Sequence, residues 1–364
     1  MHTNKKRFVF LVQGEGRGHM TQAISLHQTL KKNGHEISHV FIGKSKRRII
    51  PDYFYESIDA PITEVDSPNF ITDSKHKSIR LIPSIIYNVC FLHLYSRSLK
   101  KINRIIKDTQ PDGLINFYDF LGSFYMFRYH PDIKYFCIAH QYLTDHPDFI
   151  YAEGKNTDKF LFKVNNWLTS QKAYRKLALS FKAYDPLRVG NTVVTPPLLR
   201  NDLQTLKTEK EDFILCYMVN PGYHNEIIDW HESNRNTKLH CFWDMKNEPD
   251  EKVIHPNLIF HQLNATKFMD MMRRCRGLVT TAGFESVCEA MFLNKPVMMV
   301  PVSGQYEQAC NAIEASNEGA GIHDTSFNIT KFIDYLPTHR SIAKDFQNWH
   351  GIMEDTVLGE LTDF

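Results

Sequence analysis

Short apolar runs alternate with helix-length amphipathic segments along most of this chain of 364 residues. In its first half, four runs have the length and the continuous apolar character of strands buried on both faces: residues 8–12, 37–42, 113–116 and 135–139. A helical spacing of apolar side chains over residues 20–33 follows the first of these runs. This order of strand, helix and strand predicts a parallel sheet that is covered by helices.

The alternation of strand-like and helix-like segments stops at Pro196 and Pro197 and then resumes. Prolines continue neither a helix nor a central strand, so we predict a linker between two domains at this point. Further along, strand candidates alternate with helix candidates: strands at residues 213–218, 238–243, 258–260, 277–280 and 296–301, helices at 267–276 and 285–293. We therefore predict an α/β protein with an N-terminal domain over residues 1–195 and a C-terminal domain over residues 196–364, whose last helix is free to pack back on the first domain.

Composition limits the location and the classes of function. The apolar runs fall well short of the roughly 20 residues that span a bilayer, and the first of them is too short for a signal peptide. The seven cysteines form no C-x-x-C pair, which argues against a disulfide framework and against a zinc site. We expect a cytoplasmic protein with no bound metal, no cofactor and no nucleic-acid partner.

Charge is divided unequally along the chain. Residues 1–190 carry 28 lysines and arginines against 17 aspartates and glutamates, a net charge of +11, and residues 191–364 carry 15 against 24, a net charge of −9. A basic first half fits contact with an anionic acceptor or with the inner face of a membrane, and mutual attraction between two domains explains the same asymmetry. Residues 82–107 mix apolar and basic side chains, which fits an interfacial helix, a lipid-acceptor groove, or a buried helix with a basic C-terminal end.

Three glycines lie in the loop between the first strand and the first helix, in the order G-x-G-x-G-H over residues 14–19. Glycines let the backbone approach a ligand closely. A dinucleotide fingerprint has the spacing G-x-G-x-x-G and an acidic residue at the end of the second strand, where this chain has Gly43. We therefore set the dinucleotide interpretation aside. His19, at a helix start beyond a strand end, is a candidate general base, and a helix-capping role is its alternative.

A second candidate loop, residues 280–283, precedes a helix in the C-terminal half. The N-terminal amides of such a helix point into the loop and favour an anion such as phosphate. Glu285 and Glu289 are four residues apart and share one helical face. Glu285 can complement the helix dipole, whereas Glu289 lies one turn further in and has two oxygens that suit a ribose diol. The polar loop at residues 301–308 suits hydroxyl recognition.

The run TTAGFESVCEAMFLNKPVMMVPVSGQYEQACNA, residues 280–312, resembles the nucleotide-sugar signature of glycosyltransferases with the two-domain GT-B fold. These include UDP-dependent glucosyl and glucuronosyl transferases and the peptidoglycan N-acetylglucosaminyl transferase. The family pattern has five features in order: a glycine loop, S/N-x-x-E, G-x-P, a strand ending in proline, and D/E-Q-x-x-N-A. In this chain the same five features are Gly283, residues 286–289, residues 294–296, Pro301 and residues 307–312. Asn294 departs from the family's glycine, and Thr281 departs from the histidine of plant members.

The N-terminal half resembles the same family. Its glycine loop is similar to the acceptor-side loop whose histidine is the base of inverting members, and the stretch that ends at Asp119 is similar to the strand whose aspartate orients that histidine. His140 and Gln141 resemble the His-Gln pair of a bacterial and archaeal branch. The resemblance implies two Rossmann-like domains that face each other across a cleft. It also implies inverting, metal-independent transfer of a sugar from a nucleotide-diphosphate donor, with UDP as the expected carrier, to an acceptor hydroxyl.

The resemblance implies a role for each candidate residue. On the acceptor side, His19 would deprotonate the acceptor and Asp119 would hold the imidazole, beside Gly16, Arg17, Gly18, His140 and Gln141. On the donor side, Gly222, Thr281 and Gly283 would lie near the diphosphate, and Glu289 would hold the ribose. Glu307 and Gln308 would hold the donor sugar. The backbone of Gln262 and Leu263 would hold the nucleotide base. From the residues alone, the alternatives are a solvated Arg17, a helix-capping Asp119, and a purely structural His140 and Gln141.

The acceptor is left open between a lipid-linked molecule, a glycan and a small molecule. Two other functions share the expected architecture. A nucleotide-sugar 2-epimerase would place several more carboxylates and an arginine in the cleft. A catalytically silent nucleotide-sugar-binding protein has no need of His19 and Asp119, so the presence of both argues against it.

Overall fold

The computed structural model describes residues 5–44, 50–68, 71–72, 79–80, 91–154, 156–218, 221–245 and 247–364. The strands of its first half are β1 Arg7–Val12, β2 Glu36–Lys44, β3 Ile62–Asp66, β4 Ile71–Thr72, β5 Ile79–Arg80, β6 Gly113–Phe117, β7 Lys134–Ala139, β8 Arg175–Leu179, β9 Arg188–Val189 and β10 Thr192–Thr195. Eight of these form one sheet in the spatial order β3-β2-β1-β6-β7-β8-β10-β9, and β4 pairs with β5. All neighbours in the large sheet are parallel except β9 with β10.

A second sheet follows in the second half of the chain. Its strands are β11 Ile214–Tyr217, β12 Leu239–Trp243, β13 Glu251–His255, β14 Leu258–Gln262, β15 Gly277–Thr280, β16 Val297–Met299 and β17 Gly321–His323. Their spatial order is β13-β14-β12-β11-β15-β16-β17, and only the edge strand β13 runs antiparallel to its neighbour. The strand order reverses direction at β1 and β6 in the first sheet and at β11 and β15 in the second, and ligands of open α/β sheets bind beyond such switch points.

Helices cover these sheets. The described helices are α1 Arg17–Lys32, α2 Asp52–Ser57, α3 Leu92–Thr109, α4 Phe120–Tyr129, α5 Asn156–Thr169, α6 His224–Glu232, α7 Ala265–Arg274, α8 Phe284–Phe292, α9 Tyr306–Asn317, α10 Ile329–Tyr335, α11 Ala343–Gly351 and α12 Met353–Thr362. Short 3₁₀ helices lie at His140–Asp145, Asn201–Thr205, Pro221–Tyr223 and Leu336–Thr338. The predicted α/β architecture with two Rossmann-like sheets is confirmed.

The predicted segments lie within or beside the observed ones, with differences at their ends. α1 begins at Arg17, three residues earlier than the apolar periodicity indicated, because Gly16 holds an extended conformation and the polar end of the glycine loop is already helical. The segment at residues 82–107 is described only from Phe91, and its first nine residues lie outside the described part of the chain. Within α3, Leu99, Ile102 and Ile106 are buried in the first half's core, which agrees with the buried-helix interpretation.

The last helix packs on the first half of the chain. Glu354 of α12 accepts a hydrogen bond from Lys32 Nζ at 2.8 Å, and the ring of Phe364 lies 5.5 Å from that of Phe136 in β7. Leu361 is fully buried. The first sheet ends at Thr195, directly before the two prolines, and the placing of a domain boundary there stays a prediction. Within the described part of the chain, every helix is too short or too polar to cross a membrane.

We predict that Leu361→Ala lowers the free energy of unfolding by about 2–5 kcal/mol, because it removes buried methyl groups and leaves a cavity where α12 packs. Asp355→Ala, at an exposed position of the same helix, is the matched control and should change stability by no more than about 0.5 kcal/mol. Urea denaturation followed by circular dichroism measures both. Equal effects of the two substitutions would contradict the packing of α12 on the first half.

Candidate active site

A cavity of about 740 Å³ lies between the carboxyl ends of the two sheets. Loops that follow β1, β6 and β7 line it from one half. The last residue of β11 and the loops that follow β14, β15 and β16 line it from the other. Eleven of the fifteen predicted site residues contribute to its wall: Gly16, Arg17, Gly18, His19, His140, Gln141, Leu263, Gly283, Glu289, Glu307 and Gln308. The two motifs that are farthest apart in the sequence therefore face one space.

Four predicted site residues do not line the cavity: Asp119, Gly222, Gln262 and Thr281. The side-chain amide of Gln262 donates to the carbonyl oxygens of Met245 and Glu248 at 2.6 and 3.1 Å, so it holds the chain that follows β12. Thr281 is fully buried beneath the loop.

His19 lies in the first turn of α1. Its ring stacks on that of Tyr118, with centroids 5.6 Å apart, and its Nδ1 lies 3.2 Å from Gln22 Oε1. A side chain at position 16 would crowd the imidazole, because a Cβ on Gly16 would lie 3.1 Å from its Cδ2. Burial lowers the pKa of His19 below its ordinary 6.5, against the opposing attraction of Glu307. The imidazole is therefore neutral at neutral pH, as a general base must be.

Asp119 caps α4, and among the hydrogen bonds of the described residues none joins it to His19. Its Oδ1 accepts hydrogen bonds from the backbone N–H of Leu121 at 2.8 Å and from the hydroxyl of Ser67 at 2.7 Å, and its Oδ2 is buried without a hydrogen-bond partner among the described residues. Burial raises the pKa of this carboxyl to about 6. The hydrogen bonds of Asp119 are those of the helix-capping alternative, and the predicted pairing of Asp119 with His19 stays a prediction. Gly43 leaves room for the carboxyl, since a Cβ there would lie 2.6 Å from Oδ2.

Gln22 connects His19 to the opposite half of the chain. Its Nε2 donates to Oε1 of Glu285, in the first turn of α8, at 2.6 Å. Gly18 permits this approach, because a Cβ at position 18 would lie 3.0 Å from Cγ of Glu285. Burial raises the pKa of Glu285 well above its usual range, and the hydrogen bond from Gln22 partly offsets this. Sequence reasoning missed Gln22, and its spacing of three residues from His19 on one helix face was the available signal.

The donor-side residues surround the start of α8. Gly283 caps this helix, and a Cβ there would meet no atom closer than 3.9 Å, so the space in front of the first-turn amides is open. One turn further, Oε1 of Glu289 accepts from Arg200 Nε at 2.9 Å. Burial raises the pKa of Glu289, and the guanidinium of Arg200 partly offsets this. Arg200 also lines the cavity and was missed, because it lies just beyond the two prolines in a stretch without periodicity.

The loop after β16 contributes two further polar side chains. Gln308 Oε1 accepts from the backbone N–H of Val302 at 2.9 Å, which fixes the loop and leaves the amide N–H₂ as the remaining donor. Glu307 is half-buried at the start of α9, and its charge acts on the imidazole of His19. These are groups suited to sugar hydroxyls.

His140 holds the two halves together. Its ring stacks on that of Phe284 with centroids 4.1 Å apart, Nδ1 lies 2.7 Å from the carbonyl oxygen of Leu179, and Nε2 lies 3.4 Å from Oε2 of Glu314 in α9. Burial lowers the pKa of His140, but the Glu314 carboxylate more than offsets this, so the net shift is upward. Both ring nitrogens face protein groups, which fits the structural alternative for this residue.

Arg17 also bridges the halves, because its guanidinium lies 3.6 Å from the carboxylate of Asp244. It lines the cavity at the same time. Since both side chains are partly exposed, this ion pair is worth little by itself and leaves the guanidinium available to a ligand anion.

The first-half wall of the cavity is largely apolar. Helices α3, α4 and α5 supply its side chains: Leu92, Tyr95, Phe120, Phe124, Leu161, Phe162, Val164 and Leu168. Among the residues that the structure describes, no group of three or more His, Cys, Asp or Glu side chains is arranged to hold a metal ion. The independence from metal stays a prediction.

A family model described as Glycosyl transferase family 1 matches residues 6–337 of the chain. The chain belongs to this family. It is a glycosyltransferase, as the two sequence motifs indicated.

Solved structures share the fold of this glycosyltransferase over nearly its whole length. The glycotransferase of kitacinnamycin aligns with a TM-score of 0.66 and 12% identity over 98% of this chain and 99% of that one. TcCGT1 in complex with UDP aligns with a TM-score of 0.64 and 11% identity over 99% of each chain. A protein named as a UDP-N-acetylglucosamine 2-epimerase from Listeria monocytogenes aligns with a TM-score of 0.61 and 14% identity over 99% of this chain and 98% of that one. A search of curated proteins found no match. These identities support the fold alone, and the predicted GT-B arrangement is confirmed.

We predict that Asp119 contributes a loss of stability to the glycosyltransferase as pH rises from 4 to 6. Its carboxyl has a pKa of about 6 in the folded protein against an ordinary 3.8, so the folded state binds the extra proton in this window. At about 1.4 kcal/mol per pKa unit, the loss amounts to about 3 kcal/mol. Asp119→Asn should lack this part of the pH dependence, whereas Asp108→Asn, at an exposed position, should keep it. The midpoints of urea denaturation between pH 4 and pH 8 measure the difference. If the midpoints of both variants depended on pH in the same way, the burial of Asp119 would be contradicted.

Proposed function

We propose that this glycosyltransferase moves a sugar from a uridine diphosphate donor to a hydroxyl of an acceptor with an apolar body, with inversion at the anomeric carbon. One observation carries the proposal. The imidazole of His19 and the open N-terminus of α8 line the same cavity, which supports a base and an anion site that act on one pair of substrates.

The diphosphate of the donor fits the start of α8. Its first-turn amides and the positive end of the helix dipole favour an anion, and no side chain at Gly283 blocks them. Protein groups already engage the two nearby carboxyls: Glu285 accepts a hydrogen bond from Gln22, and Glu289 is paired with Arg200. We assign the ribose to the second oxygen of Glu289 and the diphosphate charge to the amides with Arg17 and Arg200. A solved neighbour, TcCGT1, binds UDP, which supports the choice of nucleotide.

The chemistry is a single displacement. The acceptor hydroxyl gives its proton to the free Nε2 of His19 while its oxygen bonds to the anomeric carbon. The bond between that carbon and the phosphate oxygen breaks, and the nucleoside diphosphate leaves with the electron pair. Attack from the side opposite to the leaving group inverts the anomeric centre. The carboxylate of Glu307 stabilises the imidazolium that forms, since its charge already favours the protonated ring.

The acceptor lies against the apolar wall formed by α3, α4 and α5. Such a wall gains free energy by covering apolar surface and offers few partners for a free sugar or a polar glycan. We therefore propose an acceptor with an aromatic or aliphatic body that presents one hydroxyl to His19. Contact with a membrane face stays a prediction, because residues 81–90 lie outside the described part of the chain.

A nucleotide-sugar 2-epimerase is the second candidate. The cavity does contain the extra carboxylates and arginines that such an enzyme would use: Glu15, Asp158, Glu285, Glu289, Glu307, Arg17 and Arg200. Glu289 is paired with Arg200, and membership of a glycosyltransferase family favours transfer. Incubation with UDP-N-acetylglucosamine alone separates the two functions, because an epimerase releases the 2-epimer or its product without any acceptor.

We predict that UDP raises the thermal midpoint of the enzyme more than dTDP or GDP does. A ligand at 100 times its Kd adds about 2.7 kcal/mol to stability. Glu289→Gln should lose most of this shift, because it removes the ribose carboxylate and leaves Arg200 unpaired. Glu232→Gln, exposed at the end of α6, should keep the full shift. Differential scanning fluorimetry measures these thermal midpoints. A larger shift with GDP or dTDP than with UDP would reassign the nucleotide. An unchanged UDP shift in Glu289→Gln would show that this residue does not hold the ribose.

We predict that His19→Gln lowers kcat for transfer about 10²–10⁴-fold while the thermal shift with UDP is retained. In the wild type, kcat/KM should stay constant through neutral pH and fall only below pH 6.5, because the pKa of His19 is lowered. His130→Gln, at an exposed position after α4, is the control. Product is followed by mass spectrometry with UDP-glucose and UDP-N-acetylglucosamine as donors.

The acceptors for this experiment are a graded set of molecules, namely free glucose, octyl glucoside and a flavonol. Transfer to the two apolar acceptors and not to glucose is expected from the wall of the cavity. Equal transfer to all three would overturn the apolar acceptor, and full transfer by His19→Gln would overturn the base.

A further inference from the structure

We propose that Gln22, held by Glu285 of the opposite half, is the residue that orients His19 and sets its tautomer, in the place that the family resemblance gives to Asp119. The proposal rests on the proposed role of His19 as the base. Gln22 is a positioning residue in it, since the amide acts through the imidazole.

The direction of the two hydrogen bonds determines the tautomer. Gln22 Nε2 donates to Glu285 Oε1 at 2.6 Å, so the amide oxygen is the end that faces Nδ1 of His19, at 3.2 Å. An amide oxygen only accepts, and the hydrogen of this contact must therefore lie on Nδ1. In a neutral imidazole the other nitrogen, Nε2, then carries the lone pair. That nitrogen, which bonds to no described residue, is the one that can take a proton from the acceptor.

Asp119 is not available for this task. Its Oδ1 accepts from the backbone of Leu121 and from Ser67, and its Oδ2 makes no hydrogen bond with any described residue. The carboxyl is directed towards Gly43, where even a Cβ would lie 2.6 Å from Oδ2. The imidazole is instead fixed by Gln22 at Nδ1 and by the stacked ring of Tyr118 at its face.

Burial makes the arrangement specific. His19, Gln22 and Glu285 are 9%, 3% and 8% exposed. A buried amide that lost one partner would leave a polar group unsatisfied, which is unfavourable away from water. Because Glu285 stands in the first turn of α8, beside the proposed diphosphate site, the orientation of the base depends on contact between the two halves of the enzyme.

The test compares Gln22→Met with Asp119→Asn. Two-bond ¹⁵N–¹H correlation spectra report which ring nitrogen of each histidine carries the hydrogen, and the His19 signal is the one missing from His19→Gln. We expect the Nδ1–H tautomer in the wild type and in Asp119→Asn, and a mixture of tautomers in Gln22→Met. Retention of the Nδ1–H tautomer in Gln22→Met, or its loss in Asp119→Asn, would overturn the proposal.

Glu285 supplies a second pair of variants if Gln22→Met does not fold. Glu285→Gln keeps an oxygen that accepts from Gln22 Nε2, so the Nδ1–H tautomer should persist. Glu285→Leu removes that oxygen, and the mixture should appear. The same tautomer in both variants would contradict the role of Glu285.

Kinetics separate orientation from folding. Gln22→Met should lower kcat about 10-fold to 100-fold with little change in KM for the donor, and its thermal shift with UDP should match that of the wild type. A purely structural role would change the UDP shift as well. The tautomer is measured without turnover. If His19 is not the base, only the kinetics of His19→Gln will show it, and the tautomer result will be unaffected.

Discussion

Buried polar contacts between the two halves of the chain determine where the cleft closes. Gln22 bonds to Glu285, Arg200 pairs with Glu289, and Glu314 lies between His140 and Tyr184. A polar group taken out of water is stable only when it finds a partner, so the halves must approach in an arrangement that forms these pairs. The cavity, the neutral state of the imidazole and the open start of α8 all depend on that arrangement.

Much of the fold could be predicted because the central strands are buried on both faces. Strands such as β1, β6 and β15 therefore appear in the sequence as continuous apolar runs bounded by polar loops. The strands that the apolar pattern missed lie at or near the edges. β3 and β13 mix exposed and buried positions, and β17 has three residues, so neither length nor periodicity distinguishes them from loops. Their strand conformation comes from pairing with a neighbour.

The site could be predicted where one segment carries the whole signal and not where two segments share it. The glycine loop before His19 and the start of α8 were recognisable, because each places a strand end, a glycine and a helix start in consecutive positions. In the sequence, Gln22 and Arg200 look like ordinary helix and linker residues. Their place in the site is recognisable only in the folded structure, where Gln22 bonds to Glu285 and Arg200 bonds to Glu289 of the other half. Asp119 shows the converse: a motif position was matched, but Ser67 and the α4 backbone take its oxygen.

The opposite charges of the two halves play a smaller part than their magnitude suggests. Ion pairs such as Arg17 with Asp244 and Lys182 with Glu318 cross between them at partly exposed positions, where water and salt screen the attraction. Screened pairs of this kind bring the halves together without fixing an orientation. The hydrogen bonds of Gln22 and the ion pair of Glu289 are buried, short and directional, so they select one alignment. Since the proposed base and the proposed anion site lie on different halves, the proposed transfer depends on that alignment.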